Sequence, residues 1–370
     1  MNKVIIYYGS REEFNKIIPK EYTNLTSLVY EVDKEKGNIK LLFPNQNGEY
    51  DKEDEKISVE NFVISSDEYS GVREHVIINF VNFLSNFNIE NLYIHNPPLQ
   101  ISEQVTRLYP ETIVKYQNYE NITISHLLKI YEEYDNKIIG QEEVKLELLQ
   151  ALFPLTMKYR QKLVVLLFYG KSGVGKTETA KYLAEIIGEP IFRKQFSMYQ
   201  NNQFATYLFG GTHYEKSFAK DLLDRQSNVL LLDEFDKSHS SFHSAFYQLF
   251  DEGIYEDQNY HLTLKKSIII CTSNYTDLKD IEKNLGSAIY NRFDKIIKFN
   301  DLSTDSKIKI GQIAFEKFER SFSNHLDDAT KQRLENSYSQ CNNARQIVHT
   351  IENTFALSAI LEQVKNKTNR

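Results

Sequence analysis

The feature that most constrains the fold is a glycine-rich segment that directly follows seven apolar residues. The apolar run, Leu163 to Tyr169, has the length of a fully buried strand in a parallel sheet. A helix-favouring stretch follows the segment, from Glu178 to Ile187, and Gly188 ends it. The segment itself reads Gly170-Lys171-Ser172-Gly173-Val174-Gly175-Lys176-Thr177 and matches G-x-x-x-x-G-K-[ST] at every position. Strand, glycine loop and helix in this order predict a phosphate-binding loop in an α/β fold.

The residue types in this loop suit a nucleoside triphosphate and its magnesium ion. Glycines let consecutive backbone N–H groups point at phosphate oxygens, and the start of the following helix adds the positive end of its dipole. The ammonium of Lys176 is placed to reach the β- and γ-phosphates, and the hydroxyl of Thr177 to bind Mg²⁺. We therefore expect residues 170–177 to hold ATP, with Mg²⁺ as the cofactor.

Two further apolar runs end in polar residues that suit hydrolysis. The run from Val229 leads into Asp233 and Glu234, and the carboxyl end of such a strand is where an open α/β sheet presents ligand groups. Asp233 is suited to hold Mg²⁺ through water, and Glu234 to activate the attacking water as a general base. The run from Ser267 leads into Asn274, whose amide would orient that water. Because Glu234 is not needed for binding alone, the set predicts an ATPase that converts ATP and water to ADP and phosphate.

Charge is distributed unevenly along the 370 residues. The net charge is −7, which disfavours a general nucleic-acid binder. The first 135 residues hold 13 Lys and Arg against 22 Asp and Glu, whereas the remainder holds 31 against 29. This shift supports a domain boundary near residue 135. The acidic part is either a docking face for a basic partner or an ordinary solvated surface.

Cysteine usage and hydropathy predict a cytoplasmic protein. Two cysteines, Cys271 and Cys341, cannot form a disulfide framework. No run approaches 18 apolar residues, so we expect no membrane span. The apolar run from Val4 to Tyr8 is too short for the core of a signal peptide.

The N-terminal region alternates strand-like and helix-like segments, which predicts an α/β domain without a catalytic constellation. One helix is predicted from Val72 to Phe87, and the acidic stretch from Glu49 to Glu60 is predicted to be an exposed loop. The predicted strands are Val4 to Tyr8, Leu28 to Tyr30, Ile39 to Phe43, Leu92 to His95 and Thr112 to Tyr116.

Taken together, the motifs resemble those of the AAA+ ATPases, and more closely the second ATPase domain of the Clp-type protein-remodelling branch. The resemblance extends from Tyr134 to Lys367 and includes Leu231 to His239, Phe246 to Gly253 and Ile268 to Asn274. It implies a P-loop AAA+ parallel sheet flanked by helices and a small α-helical lid, preceded here by a separate α/β N-terminal domain. The expected domains are residues 1–120 (N-terminal, acidic), 121–300 (large ATPase subdomain) and 301–370 (lid).

The resemblance also assigns roles to residues outside the phosphate loop. Ile138 and Ile139, in the segment Ile138-Ile139-Gly140-Gln141-Glu142-Glu143, are similar to the motif that binds on the adenine side. Asn274 resembles sensor 1. Arg345, in Asn342-Asn343-Ala344-Arg345-Gln346, resembles the sensor 2 arginine of the lid.

The motif around Arg292 implies that the protein forms an oligomer. Arg292 lies in Tyr290-Asn291-Arg292-Phe293-Asp294, which resembles the arginine-finger motif, so Arg292 would reach the γ-phosphate of a neighbouring subunit. A finger supplied in trans requires assembly, and the family usually forms hexameric rings.

Two segments depart from the Clp pattern. Clp unfoldases grip the polypeptide with a glycine–aromatic–apolar–glycine pore loop, whereas the corresponding Leu208 to Ser217 is shorter and lacks that motif. Either His213 or Tyr214 replaces the gripping aromatic, or the segment is an ordinary loop. The second pore segment, Glu256 to Leu262, contains Tyr260 and is also atypical. The insertion that docks the Clp peptidase is not visible, so the resemblance does not imply delivery to that peptidase.

These observations support one leading hypothesis and three alternatives. The leading hypothesis is an ATP-hydrolysing ring that remodels or disassembles protein partners recruited by the N-terminal domain. The second is an ATP-driven assembly switch or scaffold in a stress or defence complex, without threading of polypeptide. The others are a nucleic-acid motor, which the charge disfavours, and a P-loop protein that binds without hydrolysis.

Overall fold

The structure is a computed structural model that describes residues 1–30, 56–198, 203–322 and 326–368. It divides into two compact units. Unit 1 comprises Met1–Tyr119, Asn201–Gln226 and Ile254–Thr263. Unit 2 comprises Glu120–Gln200, Ser227–Gly253 and Leu264–Arg370. The segments of the two units alternate along the chain.

The described residues contain strands and helices in a mixed order. The strands are β1 (Lys3–Tyr8), β2 (Thr23–Asn24), β3 (Ile57–Ile64), β4 (Phe87–His95), β5 (Ile113–Tyr116), β6 (Val164–Tyr169), β7 (Phe192–Gln195), β8 (Val229–Asp233), β9 (Ile254–Glu256), β10 (His261–Thr263), β11 (Ile268–Ser273) and β12 (Lys295–Lys298). The helices are α1 (Arg11–Asn15), α2 (residues 25–30), α3 (Glu74–Ile78), α4 (Phe80–Leu84), α5 (Leu99–Leu108), α6 (Ile124–Lys137), α7 (Glu142–Leu152), α8 (Lys176–Ile187), α9 (Gln203–Phe209), α10 (Phe218–Leu223), α11 (Tyr247–Glu252), α12 (Leu278–Leu285), α13 (Ser287–Tyr290), α14 (Thr304–Phe322), α15 (Asp328–Tyr338) and α16 (Ala344–Thr368).

Unit 1 is built on a five-stranded sheet in the order β2-β3-β4-β1-β5, in which every neighbouring pair is parallel. Successive residues of a strand face opposite sides of the sheet. On β1, Val4 and Ile6 therefore join one apolar core, whereas Ile5 and Tyr7 join another on the opposite side. The antiparallel hairpin of β9 and β10 also belongs to unit 1.

Unit 2 contains a second parallel sheet, in the order β12-β6-β11-β8-β7. The central strands are apolar on both faces because helices cover both sides; every residue of β6, β8 and β11 is buried. Since all strands run in the same direction, the segments after β6, β8 and β11 meet at one edge. That edge carries the candidate site.

The three last helices form the lid part of unit 2. They pack around a separate apolar core that includes Leu334, Tyr338, Ile347, Ile351 and Phe355. None of the helices in the described part of the chain combines the length and the apolar composition that a membrane span requires.

The N-terminal predictions are partly corrected. The predicted strands from Val4, Leu92 and Thr112 correspond to β1, β4 and β5. Residues 28–30 lie in α2 and not in a strand, and residues 57–60 of the predicted acidic loop begin β3. The predicted helix from residue 72 to 87 is two short helices, and Phe87 begins β4. The predicted strand at residues 39–43 lies outside the described residues.

Candidate functional site

The glycine-rich segment forms a tight loop between β6 and α8. Gly170 has a φ of +136°, and a Cβ atom there would lie 2.3 Å from the carbonyl oxygen of Phe299. Gly175 has a φ of +112° and immediately precedes α8. Both positions require glycine because L side chains rarely adopt these angles. The backbone therefore turns sharply and brings its N–H groups to the start of a 12-residue helix.

Lys176 occupies the centre of the loop. Its side chain is buried, and Nζ donates to the carbonyl oxygens of Gly170 (2.5 Å) and Lys171 (2.7 Å) and to Oδ1 of Asn274 (3.2 Å). The loop lysine from one strand end therefore contacts the predicted sensor 1 residue from another.

Burial lowers the pKa of Lys176 to about 8, an effect that the nearby carboxylates of Asp236, Asp233 and Glu234 partly oppose. A desolvated ammonium in this position favours an anionic ligand, because a phosphate would stabilise its charged form.

Asp233, the last residue of β8, is held by two protein groups. Its Oδ1 accepts a hydrogen bond from Oγ1 of Thr272 on β11 (2.6 Å). Its Oδ2 accepts from Nη2 (2.5 Å) and Nε (3.1 Å) of Arg193 on β7. Neither Thr272 nor Arg193 was predicted from the sequence, because β11 and β7 come to lie beside β8 only in the folded sheet.

Glu234 has a left-handed backbone, with a φ of +54°. Its backbone N–H donates to Oγ1 of Thr272 (2.8 Å), and its Oε2 accepts from Nε2 of Gln195 on β7 (3.3 Å). A non-glycine residue in this region costs free energy and persists where the surroundings hold it. The strain and the two contacts orient the half-buried carboxylate.

A cavity of about 880 Å³ lies over this edge of the sheet. This volume falls in the range of small-molecule sites. The predicted site residues that line it are Ile138, Ile139, Ser172, Gly173, Val174, Gly175, Lys176, Thr177, Asp233, Glu234, Asn274 and Arg345. Gly170 and Lys171 are not among the lining residues. Their backbone carbonyl oxygens accept the hydrogen bonds that Nζ of Lys176 donates.

Gln141, predicted only as a member of the segment Ile138 to Glu143, fastens that segment to the glycine loop. Its side chain is buried, and Nε2 donates to the carbonyl oxygens of Val174 (3.1 Å) and Asn300 (2.8 Å). Its Oε1 accepts from the backbone N–H of Asn300 (3.0 Å). One amide thereby joins the segment that precedes α7, the phosphate loop and the end of β12.

The lid approaches the loop at the start of α16. The backbone N–H of Ala344 donates to the carbonyl oxygen of Gly173 at 3.2 Å, and a Cβ on Gly173 would meet the side chain of Asn343. Arg345 is exposed and lines the cavity from this side.

Arg292 does not line the cavity of its own subunit. Its Nε donates to Oδ2 of Asp251 (2.8 Å), its Nη1 donates to the carbonyl oxygen of Ala288 (2.6 Å), and its guanidinium lies 4.3 Å from the ring centre of Tyr247. These three contacts hold the Arg292 side chain outside the cavity that the phosphate loop of the same chain lines.

The residues present fit a magnesium–nucleotide complex. Within the described ranges, no group of three or more His, Cys, Asp or Glu residues is placed to hold a metal ion. A cation at Thr177 and Asp233 would therefore depend on phosphate oxygens for further ligands, as magnesium at phosphate sites does. The glycine turn and the buried ammonium supply the complementary anion site.

The predicted pore-loop residues lie in unit 1. His213 is buried, and its Nε2 donates to the carbonyl oxygen of Val72 at 2.9 Å. Tyr260 is also buried, whereas Tyr214 is 58% exposed.

Comparisons with known proteins identify relatives of the region that contains the cavity. Residues 161–336 match the sequence family described as AAA domain (Cdc48 subfamily). The chain is 27% identical to the chaperone protein ClpB of Malacoplasma penetrans over 281 residues, which cover 65% of this chain and 39% of that protein. It is 28% identical to the ATP-dependent Clp protease ATP-binding subunit ClpE of Lactococcus lactis over 294 residues, which cover 68% of this chain and 38% of that protein.

A shorter match reaches slightly higher identity. The chain is 30% identical to the chaperone protein ClpB of Yersinia enterocolitica over 164 residues, which cover 41% of this chain and 18% of that protein. The chain thus spans less than half the length of each of these relatives.

Proposed function

We propose that the protein hydrolyses ATP and uses the turnover to remodel protein partners, because residues 161–336 match the AAA domain family and the relatives include ClpB and ClpE proteins. The observation that supports this best is the convergence of Asp233 and Glu234 with Lys176 and Asn274 at one edge of a parallel sheet. A protein that only bound nucleotide would not need an oriented carboxylate at position 234.

Each of the residues that line the cavity has a distinct role in the proposed hydrolysis. The ammonium of Lys176 would leave its carbonyl partners and pair with phosphate oxygens. The carboxylate of Glu234 would accept the proton of the attacking water, which the amide of Asn274 would orient. Mg²⁺ held at Thr177 and Asp233 would neutralise phosphate charge during the reaction.

Two arginines would complete the site. Arg345 of the lid lines the cavity and would stabilise the charge that spreads over the phosphate oxygens. Arg292 is fixed outside its own cavity, so we propose that it serves a neighbouring subunit in a ring, hexameric as the resemblance implies.

Replacement of Glu234 by Gln tests the assignment of the general base. The variant should bind ATP within about twofold of the unaltered protein and lose at least about 100-fold in kcat, since general-base contributions lie in that range. Glu335→Gln, an exposed change on α15, is the matched control and should leave both unchanged. Normal hydrolysis by the Glu234 variant would refute the assignment.

A specific observation favours the second function, an ATP-driven assembly switch that does not thread polypeptide. In unit 1 both pore-like segments contact residues of the first 119. The backbone N–H of Leu99 donates to the carbonyl oxygen of Asn259 in the second segment (2.8 Å), and Nε2 of His213 in the first segment donates to the carbonyl oxygen of Val72 (2.9 Å). His213 is bonded to Val72, so the exposed aromatic side chains of the first segment are Phe209, at its start, and Tyr214, which is the more exposed of the two.

Replacement of Tyr214 by Ala separates the two functions. Tyr214 is exposed, so the change should preserve folding, whereas replacement of His213 would remove a buried hydrogen bond. If polypeptide is threaded, the variant should lose ATP-dependent unfolding of a tagged fluorescent substrate. If the protein is a switch, ATP-dependent assembly measured by sedimentation should remain unchanged.

The partner and compartment are part of the proposal. The acidic N-terminal region supports recruitment of a basic protein partner, which affinity capture with Glu234→Gln and ATP would identify. Two buried, unpaired cysteines, Cys271 and Cys341, are consistent with the reducing cytoplasm. We propose no role for nucleic acid or the Clp peptidase; turnover stimulated by DNA or RNA would change that view.

A further inference from the structure

Arg193 contacts Asp233, the carboxylate proposed to hold the metal, although it lies outside the glycine loop and the segments that follow β8 and β11. It lies on β7, the edge strand of the unit 2 sheet, two residues before Gln195, whose backbone is in register with Asp233. Side chains two apart on a strand share a face, so Arg193 and Gln195 both project over the carboxyl end of β8. Both line the cavity.

The two oxygens of the Asp233 carboxylate are already engaged. Thr272, which is buried, donates to Oδ1 from the neighbouring strand. Arg193 donates to Oδ2 through both Nε and Nη2. The side chain of Asp233 is 9% exposed and that of Arg193 42%, so the guanidinium lies on the open, cavity side of a buried carboxylate.

A magnesium ion at this site requires the same oxygen. Mg²⁺ held through water would place a further donor on the Asp233 carboxylate, and Oδ1 already accepts a hydrogen bond from within the sheet. The other oxygen, Oδ2, faces the cavity and accepts from Arg193. A guanidinium beside the ion would also repel it. The ion pair and the metal-bound state therefore compete for the charge and the exposed oxygen of Asp233.

We propose that Arg193 competes with Mg²⁺ for Asp233, so that the arginine holds the carboxylate in position before metal binding and sets the Mg²⁺ concentration at which the site becomes competent. Arg193 is in this sense a positioning residue. The inference rests on the proposed nucleotide site. After displacement by the metal, the partly exposed side chain of Arg193 would stay at the wall of the cavity, which Glu234 and Asn274 also line.

The test measures metal dependence of binding and not turnover. A fluorescent ATP analogue is titrated onto the full chain carrying Glu234→Gln, with increasing Mg²⁺ and with EDTA. Addition of Arg193→Gln should lower the half-saturating Mg²⁺ concentration by roughly three- to tenfold, the scale of a charge-assisted pair at a partly exposed site. Affinity in EDTA should change by less than about twofold. Arg193→Lys, which keeps the charge and loses the fork, should give an intermediate shift.

Two controls make the test specific. Arg320→Gln removes the same residue type from an exposed position on α14, where it pairs with Glu316, and should leave the Mg²⁺ dependence unchanged. In an Asp233→Asn background, Arg193→Gln should have no further effect on Mg²⁺ dependence, because the ion pair is already lost.

The outcomes separate this inference from the proposed function. Absence of analogue binding by the unaltered chain would overturn both. Binding with an unchanged or raised Mg²⁺ requirement in folded Arg193→Gln and Arg193→Lys would overturn the competition alone. A lowered requirement that persists in the Asp233→Asn background would also overturn it.

Discussion

Two residues of the nucleotide site lower the stability of the unliganded fold, one through a buried charge and one through a strained backbone angle. Lys176 is a buried ammonium that donates to two backbone carbonyl oxygens and to the amide oxygen of Asn274. Glu234 has a positive φ. Both costs are those of a site prepared for a ligand, and both have measurable consequences.

The affinity for nucleotide should depend on the charge of Lys176. Its pKa of about 8 in the unliganded fold lies below the usual 10.5, so the fraction charged falls as the pH rises through 8. We expect the Kd for Mg²⁺-free ATP to rise between pH 7.5 and 9.5, approaching tenfold per pH unit. Lys176→Met should bind weakly at every pH, without this slope. A flat profile for the unaltered chain would contradict the prediction.

The same lowered pKa affects folding with a defined sign. Between pH 8 and 10.5 the unfolded chain binds more protons at Lys176 than the folded chain does. This residue therefore makes the unliganded protein more stable as the pH rises through that window, whereas nucleotide binding weakens over the same range. The two opposite trends distinguish Lys176 from a general effect of alkaline pH.

Strain at Glu234 predicts an order of stability among its variants. Glycine adopts a φ of +54° without the penalty that a Cβ imposes. Glu234→Gly should therefore have a free energy of unfolding about 1 kcal/mol higher than that of Glu234→Ala, although both lose hydrolysis. Urea unfolding of the two variants provides the measurement. Equal stabilities would mean that the backbone relaxes at this position.

At the scale of elements, the phosphate loop is locked to the end of β12. Gly170→Ala would place a Cβ atom 2.3 Å from the backbone oxygen of Phe299, so we expect a loss of about 3 kcal/mol in unfolding free energy. Gly188, at the end of α8, also has a positive φ, of +86°, but open space around it. Gly188→Ala should cost about 1 kcal/mol. Similar losses of unfolding free energy in the two variants would show that the backbone after β12 shifts to accommodate the added Cβ atom.

Elements with local signals could be predicted from the sequence, and elements set by distant contacts could not. The strand, glycine loop and helix around Gly170 form a continuous pattern, and Asp233, Glu234 and Asn274 end apolar runs. Ile57–Ile64 was missed because the acidic residues before it favoured a loop, although its C-terminal half is buried between two strands.

The side-chain contacts around Asp233 were equally invisible in sequence. Arg193 and Gln195 reach the site because β7 pairs with β8, a register that no local pattern specifies. Gln141 is one polar residue among several, and its role depends on its proximity to Val174 and Asn300.

At the scale of the whole molecule, the position of Arg292 predicts that active sites are shared between subunits. Two inactive variants, Glu234→Gln and Arg292→Ala, should regain ATPase activity when mixed, because one keeps the finger and the other keeps the base. In random mixed rings the activity should reach about a quarter of the unaltered level. Mixtures that stay inactive, although sedimentation shows mixed oligomers, would place Arg292 outside the site.

The acidic N-terminal residues form one compact unit with two segments from the middle of the chain. The hydroxyl of Tyr119 donates to the carbonyl oxygen of Arg225, and the guanidinium of Arg225 stacks on the same ring at 4.0 Å. Asp224 accepts the backbone N–H of Arg11. Surface substitutions are therefore a better probe of partner recruitment than truncation, which would remove partners of residues 201–226.

The alternation of the two units along the chain also limits how such a protein can change during evolution. A module encoded by one continuous stretch can be exchanged by recombination at its two ends. Here a crossover near residue 120 would combine a foreign sheet with resident segments 201–226 and 254–263 that had never been selected to pack on it. We expect the three stretches of unit 1 to have been inherited together, so their substitutions should correlate across natural variants of the gene.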